Sequence, residues 1–160
     1  EGAALFFLDA DTLVPPSVLA RVVSVMGDPM SVGGAVDVQH CPSRASVRLY
    51  LHFWRVVGRL CGMAQGAAQF WDREQFFMHG GYDETIYMGE DVDFYWRMKR
   101  AARKQGRKLC YISDVQVLPS PRRFDRWPLW KTLVWTNPVL VVLLRHQKSP
   151  WRGWYEDVPR

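Results

Sequence analysis

Residues 5–12 read LFFLDADT, and the two halves of this octet do different work. Leu5 to Leu8 form a continuous apolar run, the pattern of a strand buried on both faces in a parallel or mixed sheet of an α/β protein. Asp9 and Asp11 then fall at its C-terminal end, where open α/β sheets hold their ligands. Positions two apart on an extended segment share a face, so the spacing predicts that the two carboxylates converge. Such a pair repels itself unless a cation lies beside it. A hard divalent ion, Mg²⁺ or Mn²⁺, takes one or two carboxylates and completes its shell with water and phosphate. The alternative is that the aspartates simply cap the turn and helix that follow.

Outward from the octet, Pro15 and Pro16, with Ser17 as a cap, introduce a helix over SVLARVVSVM that stops near Gly27 and Pro29. SVGGAVDVQ (31–39) reads as a glycine-containing strand. From 43 to 63 the spacing of Leu49, Phe53, Val56, Val57 and Leu60 predicts a long amphipathic helix. GAAQFWDREQFFMHGGYDE (66–84) combines a short strand with a helix capped by Asp72 and stopped at Gly80 and Gly81. Val92, Tyr95, Trp96, Met98, Ala101 and Ala102 are spaced for one more helix, ended by Gly106. KLCYI (108–112) and VQVLP (115–119) read as two strands, Pro119 closing the second. Residues 1–120 thus form an α/β core with a mixed central sheet flanked by helices. Residues 121–160 are a basic, Trp-rich segment expected as loops and a helix, packed on that core or at a membrane surface.

Composition sets bounds. The 160 residues are 48% hydrophobic and 23% charged, suited to one core of ordinary domain size rather than a disordered chain. A net charge of +5 favours anionic partners: phosphate-bearing ligands, an anionic membrane surface or nucleic acid. Cys41, Cys61 and Cys110 are odd in number and lack CxxC spacing, which argues against a disulfide framework or zinc site and for buried thiols in a reducing compartment. No signal-peptide pattern precedes the first strand. Leu129 to Leu144 is too short and too polar to span a bilayer, which takes roughly 20 apolar residues.

A second acidic cluster, Glu90, Asp91 and Asp93, opens the helix that follows HGGYDE (79–84). Carboxylates are stabilised at a helix N-terminus by the macrodipole. Yet two glycines shortly before them permit close approach of a ligand, and a carboxylate there can act as general base toward an alcohol.

In this order, LFFLDADT, GGYDE and GEDVDFYWRMKRAARKQG resemble the C-terminal half of family-two inverting glycosyltransferases of the GT-A fold, over roughly residues 2 to 126. The resemblance implies a metal-dependent transfer of a sugar from a nucleoside diphosphate sugar to an acceptor hydroxyl. Asp9 and Asp11 match the DxD element that holds metal and donor. Asp91 matches the base of the ED element, with Glu90 beside it, and Gly80 and Gly81 precede it as substrate contacts. Arg122 and Arg123 in SPRRFDRW suit the diphosphate, because the guanidinium fork fits phosphate oxygens. The part of the fold that grips the nucleoside precedes the DxD strand in that family, so the chain reads as a fragment with its N-terminal nucleotide-binding half missing. VLPSPRRF lacks the histidine that many relatives carry after the last strand. His79 reads as a structural histidine, and His40, His52 and His146 show no ligand spacing.

Seven basic residues between Arg97 and Lys108 read as a solvated helix face, or as contacts to anionic lipid supported by the tryptophans of RWPLWKTLVW and SPWRGWYEDV. The latter suits a lipid-linked or polysaccharide acceptor and a cytoplasmic enzyme peripheral to the inner face of a membrane. Two alternatives stand beside this reading. DADTL and GEDVD loosely resemble the acidic motifs of a haloacid-dehalogenase-like, Mg²⁺-dependent phosphohydrolase. A non-catalytic module binding membrane or nucleic acid is the other, although the tryptophans are interleaved with aliphatic residues as if packed, so nucleic acid is not expected.

Overall fold

The apolar run becomes a strand, but its neighbour runs the other way. In the computed structural model, which describes residues 2–156, β1 (Ala4–Leu8) pairs antiparallel with β4 (Ala68–Asp72). Its burial is also lower than expected, with Leu5 to Phe7 half-buried and Leu8 exposed, because β1 lies at one edge of the sheet. The fully buried strand is β3 (Ser31–Val38), covered at all eight positions. The five strands lie in the order β1-β4-β3-β5-β2, with β2 at Thr12–Leu13 and β5 at Lys108–Pro119. β3 and β5 are parallel and the other pairs antiparallel, so β1, β3 and β5 all end at the same edge of the molecule.

Helices cover both faces. α1 (Pro16–Met26) packs Val18 and Val22 onto Val36, Val38, Phe70, Ile112 and Val117. α4 (Glu90–Lys104) packs Phe94, Met98 and Ala102 onto Val32, Ala35 and Trp71 on the other side, and α3 (Arg73–Met78) adds Phe76. Asp72 caps α3 as expected, accepting from the Gln75 amide at 2.9 Å. α1 starts one residue before its expected cap, with Pro15 at the N-cap position. The glycines of β3 allow close strand approach: a Cβ at Gly34 would collide with the Cys110 carbonyl of β5.

KLCYI and VQVLP are one strand, not two. β3 pairs with β5 up to Val36–Ile112 and resumes at Asp37–Gln116, so residues 113–115 bulge out of register. The bulge sits beside a buried carboxylate. Asp37 is fully buried, yet it accepts from Arg55 Nε at 3.0 Å, Tyr111 Oη at 2.8 Å and Gln116 Nε2 at 2.9 Å, and it pairs with Arg59.

Those arginines belong to α2 (Ala45–Leu60), the long amphipathic helix expected over 43–63. Leu49, Phe53, Val56 and Leu60 of its apolar stripe are exposed, while Arg55 and Arg59 pair with Asp37 on the sheet.

Residues 121–156 form more helix than expected: α5 (Arg122–Arg126), α6 (Leu129–Trp135), α7 (Pro138–Leu144), a 3₁₀ turn and α8 (Arg152–Glu156). They pack back on the core. Trp127 and Trp151 are buried, Arg44 bonds the carbonyls of Phe124 and Trp127, and the Tyr87 amide donates to the Arg145 carbonyl at 2.7 Å. Two further expectations are corrected. Cys41 and Cys61 are exposed and Cys110 half-buried, since the first two lie in a loop and at the end of α2. Arg97 is no part of a solvated face: it donates to Asp93 and to the carbonyls of His79 and Gly81 at 2.9, 2.9 and 2.7 Å. Among the described residues, no helix is long and apolar enough to cross a membrane.

Candidate active site

At the edge where β1 and β5 end, a cleft of about 900 Å³ opens between the chain segments that carry the acidic motifs. Asp9, Asp11, Glu90, Asp91, Arg122 and Arg123 all line it. Gly80 and Gly81 do not. With φ of +78° and +62° they stop α3, and Gly81 abuts Phe76. His79 is structural as expected, its Nδ1 donating to the Gln75 carbonyl at 2.9 Å.

The DxD carboxylates converge through a turn and not along a strand. β1 ends at Leu8, and the Thr12 amide donates to the Asp9 carbonyl at 3.0 Å, closing residues 9–12. Neither aspartate side chain caps α1. Burial and then the neighbouring Asp11 push the Asp9 carboxyl above its ordinary range, with Arg123 opposing. Asp11 pairs with Arg122 at 3.1 Å. Arg123 lies 4.2 Å from the Trp154 ring centre and 5.3 Å from that of Trp127, which fixes a half-buried guanidinium beside the acids.

Does this site suit a divalent cation? Two adjacent carboxylates, one raised by the other, form a hard, oxygen-only donor pair of the kind Mg²⁺ or Mn²⁺ accepts. Among the described residues no group of three or more His, Cys, Asp or Glu is arranged to hold a metal, so phosphate and water would have to complete the shell. The pair suits a hard divalent ion whose remaining positions are filled by oxygen ligands from outside the chain.

Asp91 is held differently. Its Oδ1 accepts from the Val92 amide at 2.8 Å and its Oδ2 from the Gly66 amide. Burial, then Glu90, push its carboxyl up to about 6, against the pull of those two amides. Gln69, fully buried in β4, donates to the Ala64 and Asp91 carbonyls at 3.2 Å each and accepts from Tyr82 Oη at 3.1 Å. The loop before β4, Asp91 and Tyr82 are therefore one bonded unit.

Sequence reasoning missed several lining residues. Gly66 gave no signal beyond ordinary loop composition, and Tyr82, although part of GGYDE, carried no role of its own. His40 follows β3, donates from Nε2 to Gln65 Oε1 at 3.1 Å and presents a buried Nδ1 without a partner; burial lowers its pKa, keeping the ring neutral. Trp154 and Tyr155 close the cleft from α8, with Tyr155 Oη donating to the Tyr87 carbonyl at 2.6 Å. Compared with models of protein families, with curated proteins and with solved structures, the chain matches none.

Proposed function

We propose that this chain is the metal- and acceptor-binding part of a GT-A-type, metal-dependent inverting glycosyltransferase. The observation that supports the reading is the shared cleft: segments 9–11, 90–91 and 122–123, far apart in sequence, line the same concavity. In this reaction Asp91 takes the proton from an acceptor hydroxyl as its oxygen attacks the anomeric carbon. The bond from that carbon to the diphosphate oxygen breaks, and the nucleoside diphosphate leaves with the electron pair. A base near 6 is ionised at neutral pH yet basic enough to assist. Asp9 and Asp11 would hold the divalent ion, whose charge offsets that of the leaving diphosphate. Arg122 and Arg123 contribute fixed positive charge on the same side, where charge develops.

The acceptor, whether lipid-linked, polysaccharide or small molecule, would enter past Glu90. A peripheral position on the inner, cytoplasmic face of a membrane belongs to this proposal, supported by the exposed apolar residues of α2, α6 and α7. The test is calorimetry of the chain with Mn²⁺ and a panel of nucleoside diphosphate sugars. Metal-dependent binding that Asp11→Ala weakens is expected. An aspartyl-phosphate on Asp9 would support the phosphohydrolase alternative instead, and salt-steep binding of single-stranded nucleic acid the non-catalytic one.

A further inference from the structure

At the end of the sheet remote from the cleft, the last turns of α2 and α4 and the first half of β5 enclose a second recess of about 550 Å³. Five cations line it: Arg59, Lys99, Arg103, Arg107 and Lys108. No acidic residue does. They come from three separate segments and converge on a concavity, which distinguishes them from charges spread over a solvated helix face. About 18 Å of helix, at 1.5 Å per residue, separates Arg103 from Asp91, so the recess is not an extension of the cleft.

Three of the five are held by partners that do not themselves line the recess. Arg59 pairs with Asp37, Arg107 donates to the carbonyls of Pro29 and Ser31 at 3.4 and 3.2 Å, and Lys108 pairs with Asp28 at 2.7 Å. The side chains of Lys99 and Arg103, one turn apart on α4, have no hydrogen bond or ion pair with any described residue. Lys99 Nζ lies over Gly62, where a Cβ would collide with it. The C-terminal dipole of α4 does not favour an anion here, so the side chains must supply the attraction. Concave, partly apolar walls focus the field of like charges, and the volume is that of ordinary small-molecule sites.

We propose that this recess binds a phosphoryl group, a phosphate monoester or diphosphate, through Lys99 and Arg103, with the organic body against the Tyr111 ring. The site stands apart from the glycosyl-transfer reading and requires none of its residues. Two sources carry this chemistry, a soluble phosphorylated molecule and a lipid headgroup, and two arms separate them. The first is an NMR titration of the 160-residue chain with inorganic pyrophosphate in EDTA, following the Gly62, Leu109 and Ser113 amides. These should shift saturably in the wild type, at least tenfold more weakly in the Lys99→Gln/Arg103→Gln double variant, and normally in Lys99→Arg. The second is co-sedimentation with phosphatidic acid vesicles, compared with and without the double substitution in a Phe53→Asp background, which removes the exposed apolar stripe of α2 as a competing contact. Either response, lost in the double variant, supports the site and names its source. Responses that survive the double substitution, or the absence of both in the wild type, overturn it. Both substituted side chains are exposed, and far-UV dichroism checks that the fold is retained.

Discussion

The Gly66 amide donates to Asp91 Oδ2, and a Cβ at position 66 would lie 2.7 Å from the Asp91 Cβ and 2.8 Å from that same oxygen. Only a residue without a side chain lets the backbone approach the carboxylate this closely. In an enzyme that also carries the nucleoside-binding half, Gly66→Ala should therefore displace Asp91 and lower kcat by about 100-fold, a cost that a shift of about 1 Å in a reacting group can carry. KM for the donor should stay within a few-fold, because the metal and phosphate side is untouched. Steady-state kinetics that leave kcat intact would show that Asp91 tolerates displacement and is not the base.

The raised carboxyl of Asp91 gives a pH profile. A base with a pKa of about 6 is blocked below that pH and free above it, so kcat/KM should climb tenfold per pH unit up to about 6 and then level. Asp91→Asn should lose that limb together with 10²- to 10⁴-fold of the rate, roughly the contribution of general-base catalysis. For stability the sign is opposite. A folded pKa above the ordinary 3.8 favours the protonated folded state, so this contribution, full below 3.8, disappears as pH rises through about 6. Thermal melts across pH 3–8 check it.

On the other wall, Asp11 neutralises Arg122 and raises Asp9. Asp11→Ala should weaken Mn²⁺-dependent donor binding at least tenfold in calorimetry. Metal-independent binding of the free nucleoside diphosphate should change less, because Arg122, freed from its partner, can turn to phosphate. Equal loss with and without metal would place the role of Asp11 in folding.

How much of this was legible in the sequence? Period and punctuation carried the elements: α4 from the spacing of Val92, Tyr95, Met98 and Ala102, and α3 from Asp72 and the double glycine. The charged lining of the cleft was legible too, because carboxylates and arginines declare their chemistry wherever they stand. What escaped depends on pairing across the chain. The bulge at 113–115 and the edge position of β1 are properties of strand order, to which single-strand patterns are blind. Gly66 and Gln69 matter only through Asp91, more than twenty residues away. The Gly80–Gly81 pair was legible as the stop of α3, and it does not line the cleft.

The exposed stripe of Leu49, Phe53, Val56 and Leu60 continues toward Trp130, Leu133 and Val134 of α6, because Tyr50 Oη donates to the Leu133 carbonyl at 3.3 Å and joins the two helices. Apolar and aromatic residues beside Arg48 and Lys131 suit an anionic interface. The chain should float with phosphatidylglycerol vesicles at low salt, and Phe53→Asp should abolish this while lowering the melting temperature little, since that side chain is more than half exposed and its one ring contact among the described residues is with Trp54. Flotation unaffected by Phe53→Asp would move the contact elsewhere.

On the helix that carries this stripe, Arg55 and Arg59 pair with the buried Asp37, and the last prediction concerns that cluster. Burial alone would raise the Asp37 pKa, but the bonds from Arg55, Arg59 and Tyr111 outweigh it and lower it. Asp37→Asn would leave two guanidinium groups facing a neutral amide. Removing one partner of a buried ion pair costs about 3–5 kcal/mol, and urea denaturation should show a loss of that order. With its folded pKa below 3.8, Asp37 stabilises the protein above that pH, and the contribution disappears as pH falls through the lower folded value. The wild type should therefore lose its advantage over Asp37→Asn in strong acid. If the cluster sets the facing of α2, Asp37→Leu, with Arg55→Leu and Arg59→Leu to remove the stranded charges, should keep the fold and turn the Leu49–Leu60 stripe toward the sheet. Reduced solvent access at position 53, read by hydroxyl-radical footprinting, is the measurement. An unchanged footprint would show that the loops at either end, not the buried charges, set the rotation of the helix.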